Sequence, residues 1–444
     1  MKLGLKPSSE SSLDHWLSYI SIINPREIDL GLSRISTVYK SFEVARLAPL
    51  VITVAGTNGK GSTVMAIEGM LRAEGIRVAA FTSPHIDRFN ERFRINEVEV
   101  EDHELCSVFS EIEAVREDVP LSYFEFTALA GFLIFARAEL DVVILEVGLG
   151  GRLDAVNMID ANICVVTNIS IDHEDWLGEG REAIAAEKAG ILRSGAQVIF
   201  GDRDVPQALI RKAEELELTP LCLGRDFGWE RADKIWDWRG LIKMHNMPER
   251  IQTISGLPVP KLLLDNVAVA MQVFYKASIA LGFRINFEAQ RNKLATLQLA
   301  GRHEWRSDKT TKIPILLDVA HNQGAAEILS KELRGITQLG HCVIVVLAIM
   351  ADKRVAEFLR ALGSEVSELH IGEVDADRCL SVSSLEETAK ELFTKTSIYT
   401  YDSLKNAYLG ACAKANSNSV VVVTGSFLTV SAVRNLSVSS VGLV

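Results

Sequence analysis

One stretch constrains this chain more than any other. An apolar run, Val51–Val54, opens directly into Gly56-Thr57-Asn58-Gly59-Lys60-Gly61-Ser62-Thr63. The run reads as a strand, and Ser62–Glu74 has the period of a helix. Glycines between strand and helix let the backbone turn so that successive N–H groups point at one anion. The helix N-terminus adds a partial positive charge there, and Lys60 adds a full one. Ser62 or Thr63 offers a hydroxyl to a magnesium ion. The loop therefore fits a nucleoside triphosphate, and the bland alternative is a Gly-rich turn with no ligand. The usual phosphate loop has Ser or Thr directly after Lys; here Gly61 intervenes. Nothing in the loop says what the phosphate is used for.

The surroundings of the loop repeat its pattern. Val78–Phe81, Asp141–Glu146 and Ile163–Thr167 read as further strands, apolar enough to lie inside a sheet covered on both faces. Strands alternating with helix-period segments predict βαβ units, an α/β fold and a mostly parallel sheet. Between about Gly224 and Pro260 the texture changes. Trp229, Trp236 and Trp238 cluster there among short alternating segments. This reads as a small antiparallel excursion followed by a helix from about Leu262 to Leu281. The tryptophans read as packing, since no basic stripe accompanies them. From Pro314 the alternation restarts, with strands at Ile315–Val319, Cys342–Leu347, Glu368–Ile371 and Val420–Val423. Two domains are expected, 1–299 carrying the phosphate loop and 300–444 forming a smaller α/β domain, with the boundary near Ala300.

Composition narrows the class further. The 444 residues carry 47 Lys plus Arg against 58 Asp plus Glu, a net charge of −11. That balance argues against a nucleic-acid or membrane-surface protein. The six cysteines are scattered without a C-x-x-C pair, the pattern of reduced thiols. No apolar run approaches the ~20 residues of a membrane span. Met1–Ser12 is polar and lacks a signal core, so a cytoplasmic protein is expected, with a monomer as the default.

The loop variant G-T-N-G-K-G-S resembles that of the Mur ligase superfamily, and of the folylpolyglutamate synthases within it. Further landmarks follow in the expected order: Thr82-Ser83-Pro84-His85, Asn90-Glu91-Arg92, Glu146 to Ala155, Asp172-His173, Glu187 to Gly190, Gly301-Arg302, Asp318 to Asn322 and Gly425-Ser426-Phe427. Ser122 to Phe126 and Asp172 to Gly178 resemble the bacterial branch that unites dihydrofolate synthase with folylpolyglutamate synthase. The resemblance runs from about Ile52 to Val430.

It implies a ligase that joins a carboxylate to the amino group of L-glutamate. A carboxylate is a poor electrophile with a bad leaving group. Transfer of the ATP γ-phosphoryl makes an acyl phosphate, which the amine attacks as phosphate departs. The protein's task is to neutralise phosphate charge and align the reacting oxygens. The implied substrates are 7,8-dihydropteroate, tetrahydrofolates, L-glutamate and ATP, with magnesium, two ions, as the cofactor.

By this resemblance Gly56, Thr57, Asn58, Gly59, Lys60, Gly61, Ser62, Asn266, Arg302 and Asp318 hold ATP. Ser62, Ser83, Glu146, His173 and Lys188 form the metal site. Glu146, a hard oxygen donor at the carboxyl end of a strand, suits magnesium on its own chemistry; the alternative is a solvated acid. His173 as a ligand of a second magnesium rests on the family alone, since imidazole is a poor magnesium ligand. By chemistry it reads as structural or as a base. Ser83 reads equally as a helix cap before Pro84. Lys188 lies in a helical stretch, Arg181–Leu192, where an exposed lysine is usually just solvated. In related ligases the matching lysine is carbamylated, which turns a cation into an anionic oxygen donor. His321 is implied to orient or neutralise the transferring phosphate, against a packing role for it and a capping role for Asn322. Ser122, Tyr123, Phe124, Glu125, Leu153, Asp154 and Ala155 match segments that hold dihydropteroate. Tyr123 and Phe124 suit a flat heterocycle and Asp154 suits its ring donors; the alternative is core packing at the start of a helix, Phe124–Ala138.

Two rivals remain at this point. A peptidoglycan-precursor Mur ligase shares the loop and the chemistry but not the folate-type segments. A nucleotide-dependent switch needs the loop alone.

Overall fold

The computed structural model describes residues 6–24, 26, 28–242, 250–376 and 378–440. They form two compact units. The first comprises residues up to Ile169 and Trp176–Leu297; the second comprises Ser170–Asp175 and the chain from Gln298 onward. The short segment Ser170–Asp175 thus belongs to the unit that is mostly far ahead of it in sequence.

Among the described residues the first unit is built on eight strands: β1 Leu50–Ala55, β2 Val78–Phe81, β3 Phe93–Ile95, β4 Val98–Glu99, β5 Val142–Glu146, β6 Ile163–Val166, β7 Gln197–Phe200 and β8 Leu221–Cys222. Their order in the sheet is β4-β3-β2-β5-β1-β6-β7-β8. The central strand β1 runs parallel to β5 on one side and β6 on the other. Every residue of β1 and β5 is buried, which is why both read as mostly apolar runs, broken only by Thr53 and by Glu146 at the end of β5. Helix α1 (Lys60–Ala73) follows β1, α2 (Tyr123–Arg137) precedes β5, and α3 (Gly180–Ala189) follows β6. A separate antiparallel sheet, β9 (Gly228–Ala232), β10 (Ile235–Ile242) and β11 (Arg250–Pro258), forms the excursion expected from the tryptophans. Trp236 and Trp238 are fully buried, so packing is their role. Residues 243–249 of that stretch, and 1–5 of the polar N-terminus, lie outside the described residues. Helix α4 (Leu264–Leu281) and helix α5 (Phe287–Thr296) close the unit, both packing against α1.

The second unit has its own seven-stranded sheet: β12 Glu304–Asp308, β13 Pro314–Leu317, β14 Cys342–Leu347, β15 Val366–Ile371, β16 Ser397–Thr400, β17 Ser419–Thr424 and β18 Val438–Ser440, in the order β16-β15-β14-β17-β13-β12-β18. Helix α6 (Gln323–Gln338) follows β13 and buries Ala326, Leu329 and Leu333 in a core shared with Val343 and Val345 of β14. Two expectations need correcting here. The first strand of this unit is β12, which is polar in sequence and pairs antiparallel with β13 and β18. The strand expected at Ile315–Val319 stops at Leu317, because the Asp318 side chain takes the N–H groups of His303 and Ala320 at 3.0 Å each and bends the chain away. No helix among the described residues is long and apolar enough to cross a membrane. The six cysteines are free, with Cys106, Cys164, Cys222 and Cys412 buried.

Candidate active site

The phosphate loop is fixed from both sides. Gly56 has φ +145°, and a Cβ there would fall 1.9 Å from the Thr167 Oγ1. Gly59 has φ +82°, and a Cβ there would fall 2.3 Å from the Asn266 Oδ1. Both contacts demand glycine. Three hydrogen bonds from the end of β6 hold the turn open. Thr57 N donates to Asn168 O (2.8 Å), Asn58 N donates to Asn168 Oδ1 (2.9 Å), and Thr167 Oγ1 donates to Asn58 O (2.6 Å). Thr167 and Asn168 were not among the sequence-derived site residues, since nothing local marks two polar residues after a strand as a brace. Gly59 is the N-cap of α1 and supplies no side chain, so the first N–H groups of the helix point out of the loop. Lys60 arches back over it, its Nζ donating to Gly56 O (3.0 Å) and Thr57 O (3.2 Å). Ser62 is buried in the first turn. The result is a concentration of N–H dipoles and one full cation, which is an anion cradle.

Neighbouring strand ends bring the acid to the cradle. Val54 of β1 is in register with Glu146 of β5, so the carboxylate emerges beside the start of the loop. Glu146 is 4% exposed and accepts from Ser83 N at 3.2 Å. Ser83 is no helix cap: the next helical turn is Phe89–Arg92, preceded by Arg88. Buried Arg92 donates from Nε to His85 Nδ1 at 2.9 Å, and burial lowers its guanidinium from the usual range against the opposing pull of Tyr123 and Glu146. Burial, with the charge of Arg92 adding to it, pushes His85 down to about 4, so this imidazole is neutral at neutral pH.

Lys188 is 4% exposed, so it is not a solvated lysine on an open helix face. Its helix is Gly180–Ala189, shorter than Arg181–Leu192, because the Gly190 N–H turns back to Glu187 O and Lys188 O. Glycines explain the burial. A Cβ on Gly151 would meet Glu187 O at 2.8 Å and Lys188 Cα at 3.0 Å, and one on Gly190 would meet Arg152 Cβ at 2.3 Å. The Gly150-Gly151 turn after Glu146 and the end of α3 therefore touch backbone to backbone.

The segments expected to hold dihydropteroate carry structural duties as well. The helix begins at Tyr123 rather than Phe124, with Ser122 as its N-cap. Ser122 Oγ accepts from Glu125 N (3.2 Å), Glu125 Oε2 accepts from Ser122 N (2.8 Å), and Arg34 Nε donates to that oxygen at 3.0 Å. The other oxygen, Glu125 Oε1, is buried without a donor among the described residues. The Phe124 ring packs edge-on to Phe81 and covers Gly148, where a Cβ would be 2.6 Å from the ring. Tyr123 packs edge-on to Phe89. Asp154 is 2% exposed, and both its oxygens are engaged, Oδ2 by Leu149 N (2.8 Å) and Oδ1 by Val156 N (3.0 Å). Burial outweighs those bonds and pushes its carboxyl up to about 6. Ala155 is buried, and Leu153 O accepts from Gly31 N at 3.2 Å.

The second unit gathers a polar cluster of its own. Asp172 accepts from Lys353 Nζ (2.8 Å) and Asn322 Nδ2 (2.9 Å), with His321 Nε2 at 3.4 Å. Arg354 pairs with Glu174 of the same short segment. Burial alone would raise Asp172, but the hydrogen bond and charge of His321, with His173 and Lys353, hold its carboxyl well below the usual carboxylate range. His173 has φ +55°, and its Nε2 is 3.4 Å from Lys353 Nζ. Burial pushes it down to about 4 despite the attraction of Asp172. His321 Nδ1 donates to Val319 O at 2.8 Å, and Asn322 caps α6 by accepting from Ala325 N at 3.0 Å. The Arg302 guanidinium lies 5.0 Å over the Phe427 ring. Of the expected metal residues, Ser62, Ser83, Glu146 and Lys188 fall in the first unit and His173 in the second. Among the described residues no three His, Cys, Asp or Glu side chains converge on a ready-made metal cage. Magnesium needs none: it takes one or two protein oxygens and completes its shell with phosphate and water. Buried Glu146 and the Ser62 hydroxyl are donors of that kind.

Comparison with known proteins gives the same reading over nearly the whole chain. Residues 54–235 match the model of the Mur ligase middle domain, and residues 301–427 that of the Mur ligase glutamate ligase domain. The dihydrofolate synthase/folylpolyglutamate synthase of Escherichia coli K12 is 36% identical over 430 residues, covering 97% of this chain and 96% of that protein. The structure of E. coli FolC in complex with DHPP and ADP superposes with a TM-score of 0.88 at 36% identity, covering 97% and 99% of the two chains. A bifunctional folylpolyglutamate synthase/dihydrofolate synthase with Mn, AMPPNP and L-glutamate bound superposes with a TM-score of 0.85 at 35% identity, covering 97% and 98%.

Proposed function

This chain belongs to the dihydrofolate synthase/folylpolyglutamate synthase family of Mur ligases, and on that footing we propose that it performs both reactions of the bifunctional members. It adds L-glutamate to 7,8-dihydropteroate to give dihydrofolate, and adds further γ-linked glutamates to tetrahydrofolates. Residues 1–299 serve as the ATP-binding part and 300–444 as the glutamate-ligase part, in a cytoplasmic monomer. The observation that carries the reading is the braced Gly56–Ser62 cradle with Glu146 in register beside it.

The chemistry follows from the residues. Lys60 and the α1 N-terminus spread the negative charge of the triphosphate over a cation and oriented dipoles, which makes the γ-phosphorus approachable by a carboxylate oxygen. The P–O bond to the β-phosphate breaks as the bond to the carboxylate forms, giving ADP and an acyl phosphate. The glutamate amine then attacks the acyl carbon and phosphate leaves. Glu146, Ser62 and Ser83, with Lys188 as its carbamate, hold one magnesium, and His173 contributes to a second. Bound magnesium supplies further neutralisation of phosphate charge. Within the second unit Asp172, clamped by Lys353 and Asn322, orients the His173 segment. Arg302, Asp318 and Asn266 contact the nucleotide, and His321 steadies the transferring phosphoryl group. Tyr123, Phe124 and the Ser122–Glu125 and Leu153–Ala155 segments form the dihydropteroate wall.

A phosphate-release assay tests this directly. With ATP and magnesium, turnover should require glutamate together with either dihydropteroate or tetrahydrofolate. Turnover supported only by a peptidoglycan precursor, or ATP hydrolysis indifferent to both co-substrates, would overturn it.

A further inference from the structure

The first unit contains a cavity of about 300 Å³ that the ligase chemistry does not use. Its walls come from Met70 of α1, Met271, Phe274 and Tyr275 of α4, Leu294 of α5 and Leu257 of β11. The volume is at the lower end of the range of small-molecule sites. Met70 lies about 15 Å along α1 from Lys60, at 1.5 Å per residue, so the cavity is separate from the phosphate loop.

Two buried polar groups interrupt this apolar lining, and Ser255 adds an exposed hydroxyl at its edge. Tyr275 is 2% exposed, and its ring is fixed by stacking on Trp238 at 5.1 Å and 17°. Its phenol makes no hydrogen bond among the described residues. Gln290, 6% exposed, also lines the cavity. Its Nε2 donates to Met70 O (3.0 Å) and Glu74 Oε1 (2.6 Å), which leaves Oε1 buried without a donor among the described residues. Buried groups left without partners cost stability, and a ligand that supplies the partner recovers it.

The charge around these groups decides what such a ligand is. The Glu74 carboxylate beside Gln290 repels an anion. The apolar walls strip water from a cation without replacing it. At the rim Glu288 and Arg291 are both exposed and of opposite sign, so they favour neither charge. Aromatic and thioether side chains favour a flat apolar body. We propose that this cavity is a binding site for an uncharged, flat, mostly apolar molecule of two or three rings whose single hydroxyl pairs with the Tyr275 phenol and the Gln290 amide. The ligand and ATP occupy the protein together.

Calorimetric titration of the full chain with 2-naphthol tests the site. Saturable one-to-one binding is expected, unchanged by saturating AMPPNP. The methyl ether, 2-methoxynaphthalene, should bind about tenfold weaker because it cannot donate, and 2-naphthoate should not bind. Tyr275→Phe keeps the ring on Trp238 and removes only the phenol oxygen, so the variant should fold and bind 2-naphthol about tenfold weaker. The proposal is overturned by absence of saturable binding, by competition from AMPPNP, by tighter binding of the naphthoate, or by equal affinity in either the ether or the Tyr275→Phe comparison.

Discussion

Replacing Gly59 by alanine puts a methyl group where the protein has none to spare room for. The residue sits at φ +82°, and its Cβ would lie 2.3 Å from Asn266 Oδ1 and 2.8 Å from Asn266 Cγ. The left-handed backbone alone costs an alanine about 1 kcal/mol, partly offset by the lower entropy of the unfolded chain. Relieving the contact requires a shift of about 1 Å. Asn266 is 6% exposed on a helix packed against α1, and the loop is pinned by Asn168 and Thr167, so neither side yields freely. Overpacking of this kind costs about 1–3 kcal/mol. The total, about 2–4 kcal/mol, lowers the melting temperature by roughly 3–7 °C for a unit of this size. If the loop is what moves, a shift of about 1 Å in the cradle lowers kcat/KM for ATP by about a hundredfold. Thermal unfolding and coupled phosphate release read the two effects separately. The double variant Gly59→Ala/Asn266→Ala should recover the steric part of the stability but not the backbone part. A Gly59→Ala protein with a melting point within about 1 °C of wild type and kcat/KM within about twofold would refute the reasoning.

Three further outcomes are expected. Lys60→Ala removes one full charge from the cradle while leaving its glycine turns in place, so ligation should vanish with little change in melting temperature; near-normal turnover in a folded variant excludes the phosphate role. Lys188→Ala should lose most activity if the lysine is carbamylated, and a small carboxylate in the buffer should restore part of it; a fully active variant rules the carbamate out. Asp154 has its pKa raised from 3.8 to about 6 in the fold, so the native state binds more protons than the unfolded chain between those values. The contribution of Asp154 to stability should therefore fall as pH rises from about 4 to about 6, by about 3 kcal/mol at roughly 1.4 kcal/mol per pH unit. His85 and His173, held down to about 4 by burial, oppose it across the same window, so the effect is read as the difference between wild type and Asp154→Asn. Asp172 is shifted the other way and acts only below about pH 4. Denaturant melts of wild type and Asp154→Asn across this range measure the effect, and an unchanged slope in the variant assigns it to another group.

What the sequence determined by itself was whatever is written in consecutive residues. Strand β1, the glycine loop and the start of α1 are legible because the apolar run, the glycines and the helical period adjoin one another. Glu146 was placed at a strand end by the same local logic, and the antiparallel excursion by its tryptophans and its alternation. The tertiary structure decided everything that depends on distant residues meeting. Thr167 and Asn168 brace the loop from over a hundred positions away. Lys188 is buried because Gly151 and Gly190 let two backbones touch, which no helical period announces. The polar strand β12 exists because β13 and β18 flank it, and its own side chains give no strand signal. The segment that carries His173 belongs to the second unit because Lys353, Asn322 and Arg354 hold Asp172 and Glu174. Local pattern fixes backbone period and buried face; which charges and hydroxyls then share one space is set by packing, and packing is not local.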